Sequence, residues 1–175
     1  LRQAVNVPKM QPFLDGHMTV QSQSAMLVCR ALGDCCGKRV LDLCAAPGGK
    51  SAYIASLAEN DVQLNCCDVH DHRVELMQKT LQRLHVTADC RVMDGTAPDA
   101  AMLDAFDAVL LDAPCSGLGL THDKPDIRYT KSPADIASLA ALQCRLLEAA
   151  ARCVRVGGVL VYATCTISAC ENEEQ

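Results

Sequence analysis

The distribution of apolar and polar positions divides the chain into segments of two periods. Residues 1 to 19 carry Pro8, Pro12 and Gly16 among mixed residues and read as an irregular lead-in; a single domain is expected over 20 to 175. From Val20 the apolar positions Ala25, Met26, Val28, Cys29 and Leu32 keep a helical period until Gly33 and Gly37 stop it. Short apolar runs then alternate with helical stretches. Strands are expected at Arg39 to Cys44, Val62 to Cys67, Val86 to Met93, Phe106 to Asp112 and Val159 to Thr164. Helices are expected at Lys50 to Ala58, Asp71 to Leu84 and Ala134 to Val154, with a long loop from Ala113 to Pro133 and a turn at Gly157-Gly158. Strands that are continuous apolar runs alternating with helices imply a mainly parallel sheet covered on both faces, a doubly wound α/β fold. Ligands of such sheets sit at the carboxyl ends of the strands, near the point where strand order reverses. The residues at those ends here are Cys44, Asp68, Asp94, Asp112 and Cys165.

Composition narrows the class. At 175 residues, half of them hydrophobic, the chain can bury a core without covalent staples. Its twelve cysteines sit inside apolar runs and adjacent pairs, without the spacing of a disulfide framework, and most read as reduced core fillers. No Cys-x-x-Cys pair occurs, so no metal site is expected. No stretch approaches a membrane span or a signal peptide, and a soluble, cytoplasmic protein without membrane partners, present as a monomer, is the expectation. The net charge of −5 is not that of a self-sufficient nucleic-acid binder. Because the chain starts at Leu1 and stops at Gln175 within an acidic run, it reads as an excised core whose basic RNA-binding part lies outside it.

The first strand opens into its helix through Cys44-Ala45-Ala46-Pro47-Gly48-Gly49-Lys50, small residues that let backbone approach a ligand closely. Asp68 stands 20 residues after Gly48, where a carboxylate can accept both hydroxyls of a ribose, and Asp94 could accept from an adenine amino group. Each Asp could instead cap the turn that follows it. A phosphate-binding loop is the competing motif, since Gly49-Lys50-Ser51 matches its end and Val109 to Asp112 resembles a magnesium-holding strand. Cys44 replaces its first glycine, however, and Asp68 and the later cysteine motifs are left without a role.

Two cysteines close neighbouring strands, in Asp112-Ala113-Pro114-Cys115-Ser116-Gly117 and in Tyr162-Ala163-Thr164-Cys165-Thr166. A thiolate beside a methyl donor can add to carbon 6 of cytosine, making carbon 5 nucleophilic enough to accept a methyl group. A base must then remove the carbon-5 proton, a task a second cysteine can assist. Asp112 could hydrogen-bond the base edge, and Lys50 could contact the base or stabilise the thiolate.

The segments CAAPGGK, LLDAPCSGLG and YATCT, with the preceding VQSQSAM and the intervening KPDIRY, resemble the motifs of the NOL/NOP2/Sun family of RNA cytosine-C5 methyltransferases, in particular its bacterial small-subunit rRNA branch. The resemblance runs from about Met18 to the end. It implies a Rossmann-like methyltransferase fold that binds S-adenosylmethionine through Cys44 to Lys50, Asp68, Asp94 and Asp112. It further implies Cys165 as nucleophile, Cys115 in product release, and RNA as partner. Members of the family carry further strands after the Thr-Cys motif and often an N-terminal RNA-binding domain. Ser22 stands where an Asp is common. A non-catalytic platform that keeps S-adenosylmethionine and RNA affinity is the alternative from another functional class.

Overall fold

A computed structural model describes residues 6–175. Five strands form one sheet: β1 (Lys38–Asp42), β2 (Val62–Asp68), β3 (Asp89–Val92), β4 (Phe106–Asp112) and β5 (Val154–Ala163). Their order is β3-β2-β1-β4-β5 and every pairing is parallel. Strand order therefore reverses between β1 and β4, where the crevice of a doubly wound sheet lies. The helices are α1 (Gln11–Leu14), α2 (Gln23–Arg30), α3 (Gly49–Leu57), α4 (Asp71–Arg83), α5 (Ile127–Thr130) and α6 (Pro133–Cys153).

Strand residues alternate between two buried layers, which is why the apolar runs are continuous. On one face Val40, Leu64 and Leu110 pack with Ile54 of α3 and with Met77 and Leu81 of α4. On the other, Leu41, Val109 and Leu111 pack with Leu146, Ala150 and Cys153 of α6. All twelve cysteines are free; Cys29, Cys35, Cys66, Cys67 and Cys153 are buried in these layers with Cys44 and Cys90 packed against them, whereas Cys36, Cys144 and Cys165 are exposed and fill no core. α6 begins with a reciprocal cap: Ser132 accepts from the Asp135 N–H while the Asp135 carboxylate accepts from the Ser132 N–H.

Four expectations shift. β3 starts three residues late because the Val86 N–H donates to the Leu81 carbonyl and closes the end of α4 before pairing begins. Gly157-Gly158 is not a turn between helix and strand, since α6 passes directly into β5 at Val154. The glycines lie in a bulge, where Phe106 pairs with Val154 but Ala108 pairs with Val159. A Cβ at Gly158 would lie 2.8 Å from the Asp107 carbonyl oxygen, so only glycine allows that approach. The stretch from Ala113 to Pro133 contains a 3-10 turn at Leu118–Leu120 as well as α5. The lead-in, whose first five residues lie outside the described part, carries a 3-10 turn at Val7–Lys9 and α1. Arg83 fastens it to the domain, donating to the Phe13 and Met18 carbonyls at 2.6 and 3.3 Å and stacking on the Phe13 ring.

Candidate active site

Parallel register brings the two cysteine motifs together. Asp112 of β4 pairs with Ala163 of β5, so Cys115 and Cys165 lie three and two residues beyond a matched pair. Their sulfurs are 3.0 Å apart, and the Cys165 N–H donates to the Cys115 sulfur at 3.2 Å. Both thiols open into a cavity of about 920 Å³ at the carboxyl ends of the strands, which Lys50, Asp68, Asp94 and Asp112 also line.

The sulfurs are not equivalent. The Cys165 S–H and the N–H groups of Cys165 and Gly117 stabilise charge on Cys115 against the opposing effect of burial, lowering its thiol to about 7. Cys165, the donor in that pair, is raised by its bond to Cys115 and by burial. Ionisation of the pair is therefore favoured at Cys115, which accepts the Cys165 N–H. Cys44, the third cysteine of the cavity, is pushed up to about 12 by burial and by Asp42, Asp68 and Asp112, and is a neutral wall residue.

Lys50 and Asp112 form an ion pair at 2.5 Å across the β1–β4 crevice, each side chain partly exposed. Asp68 is almost fully buried. Its Oδ1 accepts from the His70 N–H at 3.1 Å and its Oδ2 lies 3.3 Å from Arg73. Arg73 also donates to the Ala46 carbonyl at 2.8 Å, joining the β1–α3 turn to the end of β2. Asp94 is exposed and accepts from the N–H and hydroxyl of Thr96, with the N–H the larger cause of its lowered carboxyl. Asp68 and Asp94 therefore brace the turns that follow them while lining the cavity, so the capping and ligand-binding readings are compatible.

Of the segment Cys44 to Lys50, the cavity is lined by Cys44, Ala46 and Lys50; Ala45, Pro47, Gly48 and Gly49 shape the turn behind it. Gly48 has φ +94° and caps α3, a conformation that favours glycine. The Ala45 N–H donates to the Cys67 carbonyl and the Gly48 N–H to the Ala45 carbonyl. Two donors of the turn are thus turned inward, and Lys50, the cation a phosphate-binding loop would direct at its ligand, is instead paired to Asp112. Ser22 caps α2 by accepting from the Ala25 N–H and lines the cavity as well.

Three contributors have no motif of their own. Arg73 could have been found from its place in the first turn of the helix after Asp68. Asp42 is the last residue of β1, fully buried and bonded to Ser51. Glu171 reads in sequence as one charge of an acidic run, yet it is fully buried behind the cysteines. Among the described residues no group of His, Cys, Asp and Glu could hold a metal ion, and no helix is long and apolar enough to cross a membrane.

The sequence pattern of the family described as 16S rRNA methyltransferase RsmB/F matches residues 31–175. The chain belongs to this family. Among curated relatives of this RsmB/F chain, the ribosomal RNA small subunit methyltransferase B of Yersinia enterocolitica is 44% identical over 161 residues, covering 91% of the chain and 37% of that protein. The protein of the same name from Serratia proteamaculans is 42% identical over 164 residues, covering 93% and 38%. The chain thus spans less than two fifths of the length of these relatives. The crystal structure of NSun6 from Pyrococcus horikoshii with SFG superposes with a TM-score of 0.89 at 33% identity, covering 98% of this chain and 44% of that one.

Proposed function

We propose that this RsmB/F domain is the catalytic core of an S-adenosylmethionine-dependent methyltransferase acting on carbon 5 of a cytosine in small-subunit rRNA, with Cys165 as nucleophile. The observation that carries the reading is the meeting of two thiols, from adjacent strand ends, in a cavity that also holds Asp68 and Asp94. The names of the relatives support the RNA class, and the likeness to NSun6 solved with SFG, an S-adenosylmethionine analogue, supports the methyl donor.

The residues present suit that donor. Asp68 and Asp94 offer carboxylates to ribose hydroxyls and an adenine amino group, Leu142 and Leu146 offer an apolar wall, and Cys44 to Lys50 form the turn beneath. Bound there, S-adenosylmethionine supplies an electrophilic methyl group.

The chain's own residues manage protons. As the Cys165 sulfur bonds to carbon 6, its proton passes to the Cys115 thiolate 3.0 Å away, and from there to water in the open cavity. As ring electron density moves toward N3, that nitrogen takes a proton from water and donates to Asp112 Oδ1, the oxygen that Lys50 does not hold, and the proton returns to water when carbon 5 is methylated. After carbon 5 is methylated, Cys115, again ionised, accepts the carbon-5 proton as the Cys165–carbon 6 bond breaks and the Cys165 thiolate departs. One proton is released per turnover.

A covalent trap tests the assignment. In the intact protein, Cys115→Ala with S-adenosylmethionine and small-subunit rRNA should leave a denaturation-resistant protein–RNA band that disappears when Cys165→Ala is added. Absence of the band despite demonstrated binding of both ligands would overturn the covalent reading in favour of the non-catalytic platform.

A further inference from the structure

Behind the cysteine pair, on the side away from the cavity mouth, lies a polar cluster that the proposed chemistry does not use. Glu171, at the end of the 3-10 turn Ala169–Glu171, is fully buried. Its Oε1 accepts from the Ser116 N–H at 2.8 Å and from the Gln143 amide at 3.0 Å, and its Oε2 accepts from the Ser116 hydroxyl at 2.5 Å. Gln143, fully buried on α6, donates from the same amide nitrogen to the Pro114 carbonyl at 2.8 Å. The two residues flanking Cys115 are thereby held from one cluster. The Ser116 and Thr166 hydroxyls lie 2.8 Å apart, which extends the link to the neighbour of Cys165. The chain leading to Glu171 is fastened to the same strand end, by the Tyr162 hydroxyl on the Glu171 carbonyl at 2.7 Å and by the Thr164 hydroxyl on the Asn172 side chain at 2.6 Å.

We propose that Glu171, braced by Gln143, is a positioning residue that holds the Cys115 and Cys165 loops at the separation where one sulfur can pass a proton to the other. The proposal deepens the reading of the two cysteines as a catalytic pair and rests on it. A buried carboxylate is a costly way to fill space, and it is retained here with three donors aimed at it. Those donors outweigh burial and hold the Glu171 carboxyl below its usual range, so it stays an acceptor at working pH. Apolar packing at this position could keep the fold closed but could not fix the Ser116 N–H and hydroxyl together.

The titratable and charged neighbours of Cys115 set the sign of the test. They are Cys165 and Tyr162 from β5 and the turn after it, Glu171 from behind, and Asp112 with Lys50 along the cavity wall. The Glu171 charge itself raises the Cys115 thiol, whereas the bonds from Cys165 and Gly117 lower it. Removal of charge alone therefore makes Cys115 more acidic, and loss of position makes it less acidic.

The experiment is alkylation by iodoacetamide across a pH series in the intact protein, followed peptide by peptide by mass spectrometry, with exposed Cys144 as reference. Glu171→Ala should move the Cys115 midpoint from about 7 up toward about 8.5, the ordinary thiol value. It should also lower kcat on the order of a hundredfold, the scale of a 1 Å misplacement, with the KM for S-adenosylmethionine little changed. Glu171→Gln keeps an acceptor for the Ser116 N–H while removing the charge, and should restore kcat with the Cys115 midpoint at or below about 7. A midpoint that stays or falls in Glu171→Ala overturns the proposal, as does a folded Glu171→Gln variant as impaired as the alanine. If Glu171→Ala does not fold, Gln143→Met decides: an upward shift supports the positioning role and an unmoved midpoint refutes it. Alkylation requires neither RNA nor methyl donor, so a failed covalent trap and a failed positioning role are separately visible.

Discussion

Asp42 makes the fold's stability depend on pH in a direction opposite to that of a surface carboxylate. It ends β1 beneath the cavity with no solvent exposure. The Ser51 hydroxyl donates to its Oδ2 at 2.6 Å, and its Oδ1 has no partner among the described residues. Burial, opposed by the Ser51 bond, pushes its carboxyl from 3.8 up to about 7. Between those values the folded protein holds a proton that the unfolded chain has released. The stabilising contribution is full below about 4, declines by about 1.4 kcal/mol per pH unit as pH rises, and is lost above about 7. Over about three units the decline totals about 4 kcal/mol, a large part of a small domain's stability. Asp42→Asn removes this dependence. The asparagine oxygen can accept from Ser51 while its NH₂ group takes the unpartnered place, at a pH-independent cost of about 1–3 kcal/mol. Urea unfolding of both proteins at pH 5 and pH 8 measures the result. From pH 5 to pH 8, wild type should lose about 3 kcal/mol relative to the variant. Asp94, Asp135 and Glu171, all lowered in the folded state, act in the other direction but are common to both proteins and cancel in the difference. Parallel stability curves would refute a protonated Asp42 in the folded state.

Arg73→Ala releases both Asp68 and the Ala46 carbonyl, and should weaken S-adenosylmethionine binding about tenfold, the worth of one charge-assisted hydrogen bond; calorimetric titration checks it, and an unchanged Kd would remove Arg73 from the site. Gly119→Ala places a Cβ 2.8 Å from the Cys165 carbonyl oxygen, which already accepts from the Gly119 N–H. It should lower kcat by at least about tenfold by displacing Cys165, at a stability cost of about 1–3 kcal/mol. Thermal unfolding beside steady-state rates separates the two effects, and a variant with normal kcat would mean that the contact does not set the position of Cys165.

Legibility in the sequence followed the range of the forces involved. Strands β1, β2 and β4 were readable because burial on both faces leaves continuous apolar runs, a property of each segment alone. The bulge at Gly157-Gly158 was not, because a glycine that ends a helix and a glycine that passes a neighbouring carbonyl look alike until the register of β4 against β5 is known. Cys115 and Cys165 stood out among twelve cysteines because strand ends are where a parallel sheet gathers its chemistry. Which of the two carries the charge was not readable, since it depends on the direction of two N–H bonds and on a 3.0 Å contact across 50 residues of sequence. Glu171 was hidden for a similar reason. Its partners Ser116 and Gln143 lie 55 and 28 residues away, and only folding distinguishes it from the solvated acids beside it.

The arrangement of charge follows the same logic. Asp42, Asp68 and Asp112 end β1, β2 and β4, and Asp94 lies in the turn beyond β3, and crowding of like charge there is unfavourable unless each is separately compensated. The compensation differs at each place: Asp42 is neutralised by burial, Asp68 is faced by Arg73, Asp94 is held by the Thr96 N–H and hydroxyl, and Asp112 is paired with Lys50. What remains is a cavity with acceptor oxygens directed inward and cations fixed at its wall. That combination suits a ligand with hydroxyls, an amino group and a positive centre better than it suits polyphosphate. Under the proposed function, an RNA substrate need present only a single base to such a cavity, which a net charge of −5 on the chain does not oppose.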